Sequence, residues 1–223
     1  MRSRRSFVTA LTSLAGAVFA PTAPAVAVEP QGRSSPPPPA ARAAEWDMTW
    51  LDEFKGTHKQ VFDCGSFDLT VDTPLRVPTN YLDTFRDVYH LEPPVINIAV
   101  GVARIAFPMN ASDAIWEKYK LGERWDIKDR ATGKPATRNI FLGQISGGDR
   151  ATVRGLQARG ALFWQCNVAV GAVAGMLARD TKTSVEAVRA ELVAGLNPGV
   201  KLVPAHALAV GLVQERGFTY EKP

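Results

Sequence analysis

The chain has 223 residues, 46% of them hydrophobic and 22% charged, which is enough to bury one substantial core. Its formal charge of +4 includes Arg2, Arg4 and Arg5 near the N-terminus, so the remainder is nearly neutral and contains no basic run. This charge distribution excludes the electrostatic footprint of a nucleic-acid-binding domain. Two cysteines without a CxxC spacing exclude a disulfide-rich scaffold, and they argue against a structural zinc site.

Residues 1–27 have the features of an export signal: a basic start, an apolar stretch and the small-residue triplet Ala25-Val26-Ala27. The apolar stretch is interrupted by polar residues and proline, and it is too short for a stable membrane span. The segment Ser3-Arg4-Arg5-Ser6-Phe7-Val8 resembles a twin-arginine signal, and an ordinary secretory signal is the alternative. We predict a twin-arginine signal peptide over 1–27, cleaved after Ala27 or Ala20, and hence a periplasmic protein.

Residues 28–44 are rich in proline, serine and alanine and include four consecutive prolines, Pro36–Pro39. Such a run has no backbone donors and favours an extended polyproline conformation. We therefore predict a disordered linker over 28–44, followed by a single folded domain over 45–223.

Strand and helix patterns alternate along the folded part. The β-branched run Val95–Val102 is typical of a strand buried on both faces, and Trp46, Trp50 and Phe54 predict a short helix that caps the core. The predicted elements are, in order, helix Glu45–Gly56, strand His58–Asp63, helix Tyr81–Leu91, strand Val95–Val102, helix Ser112–Gly122, helix Asp149–Arg159, strand Ala161–Gln165, helix Asn167–Ala178, helix Ser184–Leu196, strand Val200–Pro204 and helix Ala207–Arg216. This alternation predicts an α/β fold with a mostly parallel sheet.

A polar, glycine-punctuated segment, Arg124–Gly148, interrupts the alternation. Loops of this length in compact domains are usually either functional or disordered. We predict a lid over the sheet edge in which Arg138 and Asn139 hold an anion. A solvent-exposed salt bridge is the alternative for Arg138.

Cys166-Asn167 lies where a predicted strand passes into a predicted helix, which is where doubly wound proteins place ligands. A sulfur at such a turn lies near unpaired N–H groups and the positive end of a helix, and both favour the nucleophilic thiolate. The alternative is simple packing, because free cysteines are among the most buried residues. Gly101 ends the preceding strand, so Gly101 and Asn167 are further candidates for ligand binding.

The turn Phe163–Asn167 and the C-terminal sequence LNPGVKLVPAHALAVGLVQERGFTYEKP resemble the DsrE/DsrF-like family of small sulfur-handling proteins, and the resemblance runs from about His58 to Pro223. It implies a flavodoxin-like sheet with helices on both faces, a homo-oligomer, and a cysteine that accepts sulfur as a persulfide. Only Cys166 matches that position. The implied partner is a sulfur donor or acceptor protein, or a small anion, without a metal or cofactor. The alternative function is a non-enzymatic ligand-binding or assembly module in which Cys166 is structural.

Cys64 also follows a predicted strand. In a flavodoxin-like strand order, the first and third strands of the family core are neighbours, so Cys64 and Cys166 would share one rim of the sheet. Cys64 is therefore a candidate redox partner that could form a disulfide with Cys166 in an oxidising periplasm. Proximity without a bond is the alternative, and His206 is the one histidine predicted near this rim.

Overall fold

The computed structural model describes residues 46–70, 72–143 and 150–223. The predicted signal peptide over 1–27 and the predicted linker over 28–44 lie outside the described residues. So do residues 144–148 of the predicted lid and Asp149, with which the next predicted helix begins. Along the described part of the chain, no helix combines the length and apolar character needed to cross a membrane.

The core of the fold is one parallel sheet of five strands: β1 (His58–Asp63), β2 (Ile96–Val102), β3 (Leu162–Cys166), β4 (Lys201–Val203) and β5 (Thr219–Glu221). Their order in the sheet is β4-β3-β2-β1-β5, and every pairing is parallel. All five strands therefore end at the same side of the sheet, which we call the carboxyl edge. The predicted α/β class is confirmed.

Helices connect the strands, and their bounds are α1 (Arg76–Thr84), α2 (Asp113–Tyr119), α3 (Leu121–Arg124), α4 (Val153–Gln157), α5 (Asn167–Thr181), α6 (Val185–Ala194) and α7 (His206–Gln214). A π-helical turn over Phe85–Tyr89 extends α1, and 3₁₀ helices occupy Thr49–Glu53 and Arg104–Asn110. The predicted helix Glu45–Gly56 is thus a shorter 3₁₀ helix. Ser184 caps α6 by accepting a hydrogen bond from the N–H of Ala187 at 3.1 Å.

Side chains along the strands alternate between two cores, one on each face of the sheet. Phe62 and Phe163 belong to the larger core, which also buries residues of the helices from α1 to α6. Their neighbours Val61 and Trp164 face the other way and pack with α7 and the 3₁₀ helix over Thr49–Glu53. Helices therefore cover both faces of the sheet, and in this respect the fold is flavodoxin-like in character.

The strand order corrects one expectation. Flavodoxin has the order 2-1-3-4-5, in which the first and third strands are adjacent, whereas here β2 lies between β1 and β3. The outer side of β1 is instead covered by β5, which pairs with Gln60–Phe62. The predicted adjacency of the strands that carry Cys64 and Cys166 is therefore wrong.

Candidate functional site

The carboxyl edge brings together residues that are distant in sequence. Asp63, the last residue of β1, is in register with Gly101 of β2, and Gly101 is in register with Trp164 of β3. Cys166 ends β3, and His206 begins α7 just after β4. Ligands of open parallel sheets bind beyond this edge, so these five residues mark the candidate site.

Cys166 lies at the start of α5, where it occupies the N-cap position in an extended conformation. Its Sγ accepts a hydrogen bond from the backbone N–H of His206 at 3.3 Å. His206 is the first residue of α7, so the N-terminal ends of two helices meet at this sulfur. An N–H donor and the positive ends of helices interact favourably with negative charge on a sulfur atom. Cys166 is 6% exposed.

The imidazole of His206 is held from both sides. Nδ1 accepts a hydrogen bond from the indole Nε1 of Trp164 at 3.1 Å, and Nε2 lies 2.8 Å from Oδ1 of Asp63. Since an indole N–H can only donate, Nδ1 must accept, and the proton is assigned to Nε2, which donates to Asp63. Both ring nitrogens are therefore occupied. His206 acts as a positioning residue whose backbone N–H reaches Cys166.

Asp63 anchors this network with both carboxylate oxygens. Oδ1 accepts from the N–H of Gly65 at 2.8 Å as well as from His206, and Oδ2 accepts from the hydroxyl of Tyr220 at 2.8 Å. Burial raises the pKa of Asp63, but these hydrogen bonds outweigh it and hold the pKa below its usual value. The hydrogen bond from its hydroxyl to Asp63 raises the pKa of Tyr220. The strand β5 thus contributes a side chain that fixes the position of the Asp63 carboxylate.

Asp63→Asn is expected to make the free energy of unfolding less dependent on pH in the acid range. A carboxyl whose folded pKa is depressed contributes stability above its unfolded pKa of about 3.9, and this contribution is lost as pH falls through the lower folded pKa. Urea unfolding, measured from neutral pH down to the acid range, should therefore show a smaller loss of unfolding free energy for the variant than for the native chain. Equal losses would show that the Asp63 charge does not stabilise the fold. Glu117→Gln, at an exposed carboxyl of α2 away from the site, is the control.

Gly101 lies directly against the rings of Trp164 and His206. A Cβ built there would lie 2.6 Å from Cε1 of His206 and 2.6 Å from a ring carbon of Trp164. Any side chain at this position would displace one of the two rings. Gly101 therefore makes room for the Trp164–His206 pair, and its role in ligand binding stays a prediction.

A cavity of about 910 Å³ opens beside these residues, and we call it the edge cavity. Asp63, Cys166 and His206 belong to its lining, and the rest of its wall is mostly apolar and includes one side of α5. Its volume is within the range of roughly 300–1,000 Å³ found for small-molecule sites. Cys166 thus combines a hydrogen-bonded sulfur with a position in the wall of an open cavity.

Cys64 does not join this site. It is fully buried in the larger core, and burial, followed by the charge of Asp63, raises the pKa of its thiol. Because β2 separates the strands, its Cα lies roughly two strand spacings, about 9–10 Å, from that of Cys166. A disulfide needs less than about 7 Å, and both cysteines are free. The structure therefore provides no geometry for the predicted redox pair.

The other predicted binding residues have different positions. Oδ1 of Asn167 accepts a hydrogen bond from Arg189 of α6, so this side chain serves helix packing. Asn139 is buried, and its amide donates to the carbonyl oxygens of Met109 and Ala111 at 3.0 and 2.7 Å. Arg138 is exposed. None of the three lines the edge cavity, and the binding of an anion by Arg138 and Asn139 stays a prediction.

The sequence-based site missed Asp63, Trp164 and Tyr220. Asp63 carried a usable signal, since it ends a predicted strand at the edge where Cys166 was placed. Tyr220 carried none, because β5 was not predicted. Among the described residues, no three histidine, cysteine or carboxylate side chains converge as a metal site.

The fold and the site define a parallel α/β protein with a cavity-lining cysteine at its carboxyl edge. No family model matches the chain, and no curated protein does. Among solved structures it is similar to a protein of unknown function, MTH1491 from Methanobacterium thermoautotrophicum, at 14% identity and a TM-score of 0.35 over 74% of this chain and 99% of that one. The fold assignment rests on the strand pairing described above.

Proposed function

We propose that this protein carries sulfur as a persulfide on Cys166, as its resemblance to DsrE/DsrF-like proteins suggests. The observation that carries the proposal is the environment of Sγ, which borders the edge cavity and accepts the N–H of His206 at the start of α7. A thiolate is the form that attacks a sulfane sulfur. The backbone N–H at Sγ and the two helix N-termini can stabilise the negative charge that sulfur carries during the attack.

The chemistry balances without an external oxidant. The Cys166 thiolate attacks the sulfane sulfur of a donor such as thiosulfate, and a new sulfur–sulfur bond forms. The sulfur–sulfur bond of the donor breaks, and sulfite leaves with the bonding electron pair. Cys166 then holds one extra sulfur as a persulfide anion, which the same N–H and helix ends stabilise. An acceptor thiolate removes that sulfur by the reverse type of attack.

The setting of this reaction forms part of the proposal. Export by the twin-arginine route would deliver the domain to the periplasm, where a sulfur donor or acceptor protein, or a small anion, would be its partner. A homo-oligomer is the expected assembly. The twin-arginine pattern of residues 1–27 and the family resemblance support these points.

A second candidate function is a non-enzymatic ligand-binding or assembly module. Its support is that Cys166 is 6% exposed and packs with Ala103 and Ala169. In that case the sulfur belongs to the wall of the cavity and undergoes no reaction.

Mass mapping separates the two functions. The full chain is incubated with thiosulfate or a persulfide donor, and we expect a gain of one sulfur atom on Cys166 that reductant removes. Cys166→Ala should show no gain, whereas Cys64→Ala, the matched control, should keep it because the Cys64 thiol is buried. An unmodified but alkylatable Cys166 would favour the binding module and overturn the sulfur carrier.

A further inference from the structure

The lining of the edge cavity follows one side of α5. It includes Cys166 at the start of this helix and Met176 ten residues later. At 1.5 Å of rise per residue, the two positions are roughly 15 Å apart along the helix axis. A donor as small as thiosulfate would contact only one end of such a space.

The wall away from Cys166 is apolar. It consists mainly of alanine, valine and methionine side chains of α5 together with Ile105 and Trp125. Ile105 is 49% exposed, and Val168, which also lines the cavity, is 65% exposed. Contact with apolar atoms of a ligand would remove this surface from water, and a ligand without apolar atoms would not.

The cations of the cavity favour an anionic ligand. Arg104 and Lys222 line it and are exposed, and neither has an ion-pair partner within the described ranges. The third cation, Arg124, is paired with Asp180. The lining also contains one carboxylate, Asp63, and its oxygens already accept three hydrogen bonds. Two unpaired positive charges therefore lie beside an apolar wall.

We infer that the edge cavity binds an organic anion with an extended apolar body, held by Arg104 and Lys222 at the charged end and by the α5 wall along its length. The identity of the reacting group rests on the proposed function, which makes the ligand an organic sulfane-sulfur donor such as an alkanethiosulfonate. The Cys166 thiolate attacks the terminal sulfur, the sulfur–sulfur bond breaks, and an alkanesulfinate leaves with the electron pair. Binding itself requires no reaction.

Calorimetry on the full-length Cys166→Ala variant tests binding without chemistry. Octane-1-sulfonate should bind at least roughly tenfold more tightly than methanesulfonate, because its methylenes leave water for the α5 wall. Ala172 lines the cavity and is exposed, so Ala172→Phe in the same background should fill the space at little cost to folding and weaken octanesulfonate binding by roughly tenfold. Equal affinities for the two sulfonates, or unchanged binding by the filled variant, would overturn the inference.

A charge swap tests the other half of the recognition. Lys222→Glu should weaken octanesulfonate binding by about three- to tenfold at low salt, and added salt should reduce the difference. Lys55→Glu is the matched control, since Lys55 is exposed and precedes β1 at the opposite side of the sheet. An equal effect of the two substitutions would show that net charge rather than the cavity attracts the anion, which contradicts the proposal.

The outcomes keep this inference distinct from the proposed function. Octanesulfonate binding without sulfur uptake from octanethiosulfonate would support the ligand class and overturn the sulfur carrier. Sulfur uptake from thiosulfate without octanesulfonate binding would support the carrier and overturn the ligand class. Sedimentation velocity tests the remaining candidate for the cavity's occupant, which is a second copy of the chain. A stable dimer that binds no octanesulfonate would show that the copy covers the apolar wall and would overturn the inference.

Discussion

Trp164→Ala is expected to lower the free energy of unfolding by about 3–5 kcal/mol, the usual cost of removing a large buried aromatic ring. Trp164 is completely buried in the core between the sheet and α7, with its ring 6.0 Å from that of Trp50 and 5.9 Å from that of His206. The substitution leaves a cavity and also removes the donor to Nδ1 of His206. Urea denaturation followed by circular dichroism measures the loss.

Two further variants separate packing from hydrogen bonding at this position. Trp164→Phe keeps most of the ring burial but removes the N–H, so we expect a smaller loss of about 1–3 kcal/mol. Its ¹⁵N imidazole shifts should show His206 leaving the single tautomer that the indole enforces. Tyr89→Ala is the control, because Tyr89 is 63% exposed and should change stability by less than about 0.5 kcal/mol. If Trp164→Ala cost no more than the control, the described core around α7 would be incorrect.

The sequence predicts well those strands that are buried and therefore consist of a local run of hydrophobic residues. β1 is predicted with its observed bounds, His58–Asp63, and β2 begins one residue later than expected. β5 escapes prediction because its three residues, Thr219–Glu221, are all exposed. They form a strand by pairing with β1, and this long-range contact leaves no periodicity in the sequence.

Strand order is a second property that local pattern does not contain. Hydrophobic runs indicate that β1, β2 and β3 are buried, but they carry no information about which strands are neighbours. The position of β2 between β1 and β3 follows from pairing energies and connections across the whole domain. The predicted Cys64–Cys166 proximity depended on this order and therefore failed with it.

The candidate site also contains one residue that local pattern predicts and others that depend on long-range contacts. Cys166 could be placed at the carboxyl edge because a strand-to-helix transition is a local signal. Its hydrogen-bond partner, the N–H of His206, is 40 residues away in sequence, and Asp63 is 143 residues from His206. Asn139 shows a different limit of local pattern. A polar loop residue suggested a ligand contact, whereas in the fold its amide donates to two buried carbonyl oxygens that lie 28 and 30 residues away in sequence.

His206→Pro is expected to slow alkylation of Cys166 and its uptake of sulfur by roughly ten- to a hundredfold. Proline lacks the N–H that Sγ accepts, and a hydrogen bond to a charged group is worth about 1.5–3 kcal/mol, with tenfold in rate for each 1.4 kcal/mol. The helix itself should tolerate the change. His206 is the first residue of α7, where proline is favoured, and Ala205 before it already has the extended conformation, φ −148° and ψ 143°, that a following proline requires.

His206→Ala is the matched variant, because it removes the imidazole but retains the backbone donor. If the ring only positions α7, iodoacetamide kinetics should place this variant between the native chain and His206→Pro. A rate for His206→Ala below that of His206→Pro would instead assign the imidazole a direct part in the reaction. Thermal unfolding of both variants shows whether a slower rate is caused by a general loss of structure. The comparison shows whether a backbone group at a helix N-terminus or a side chain promotes the reaction of Sγ. Because both nitrogens of the imidazole are already occupied by Trp164 and Asp63, we expect the backbone group.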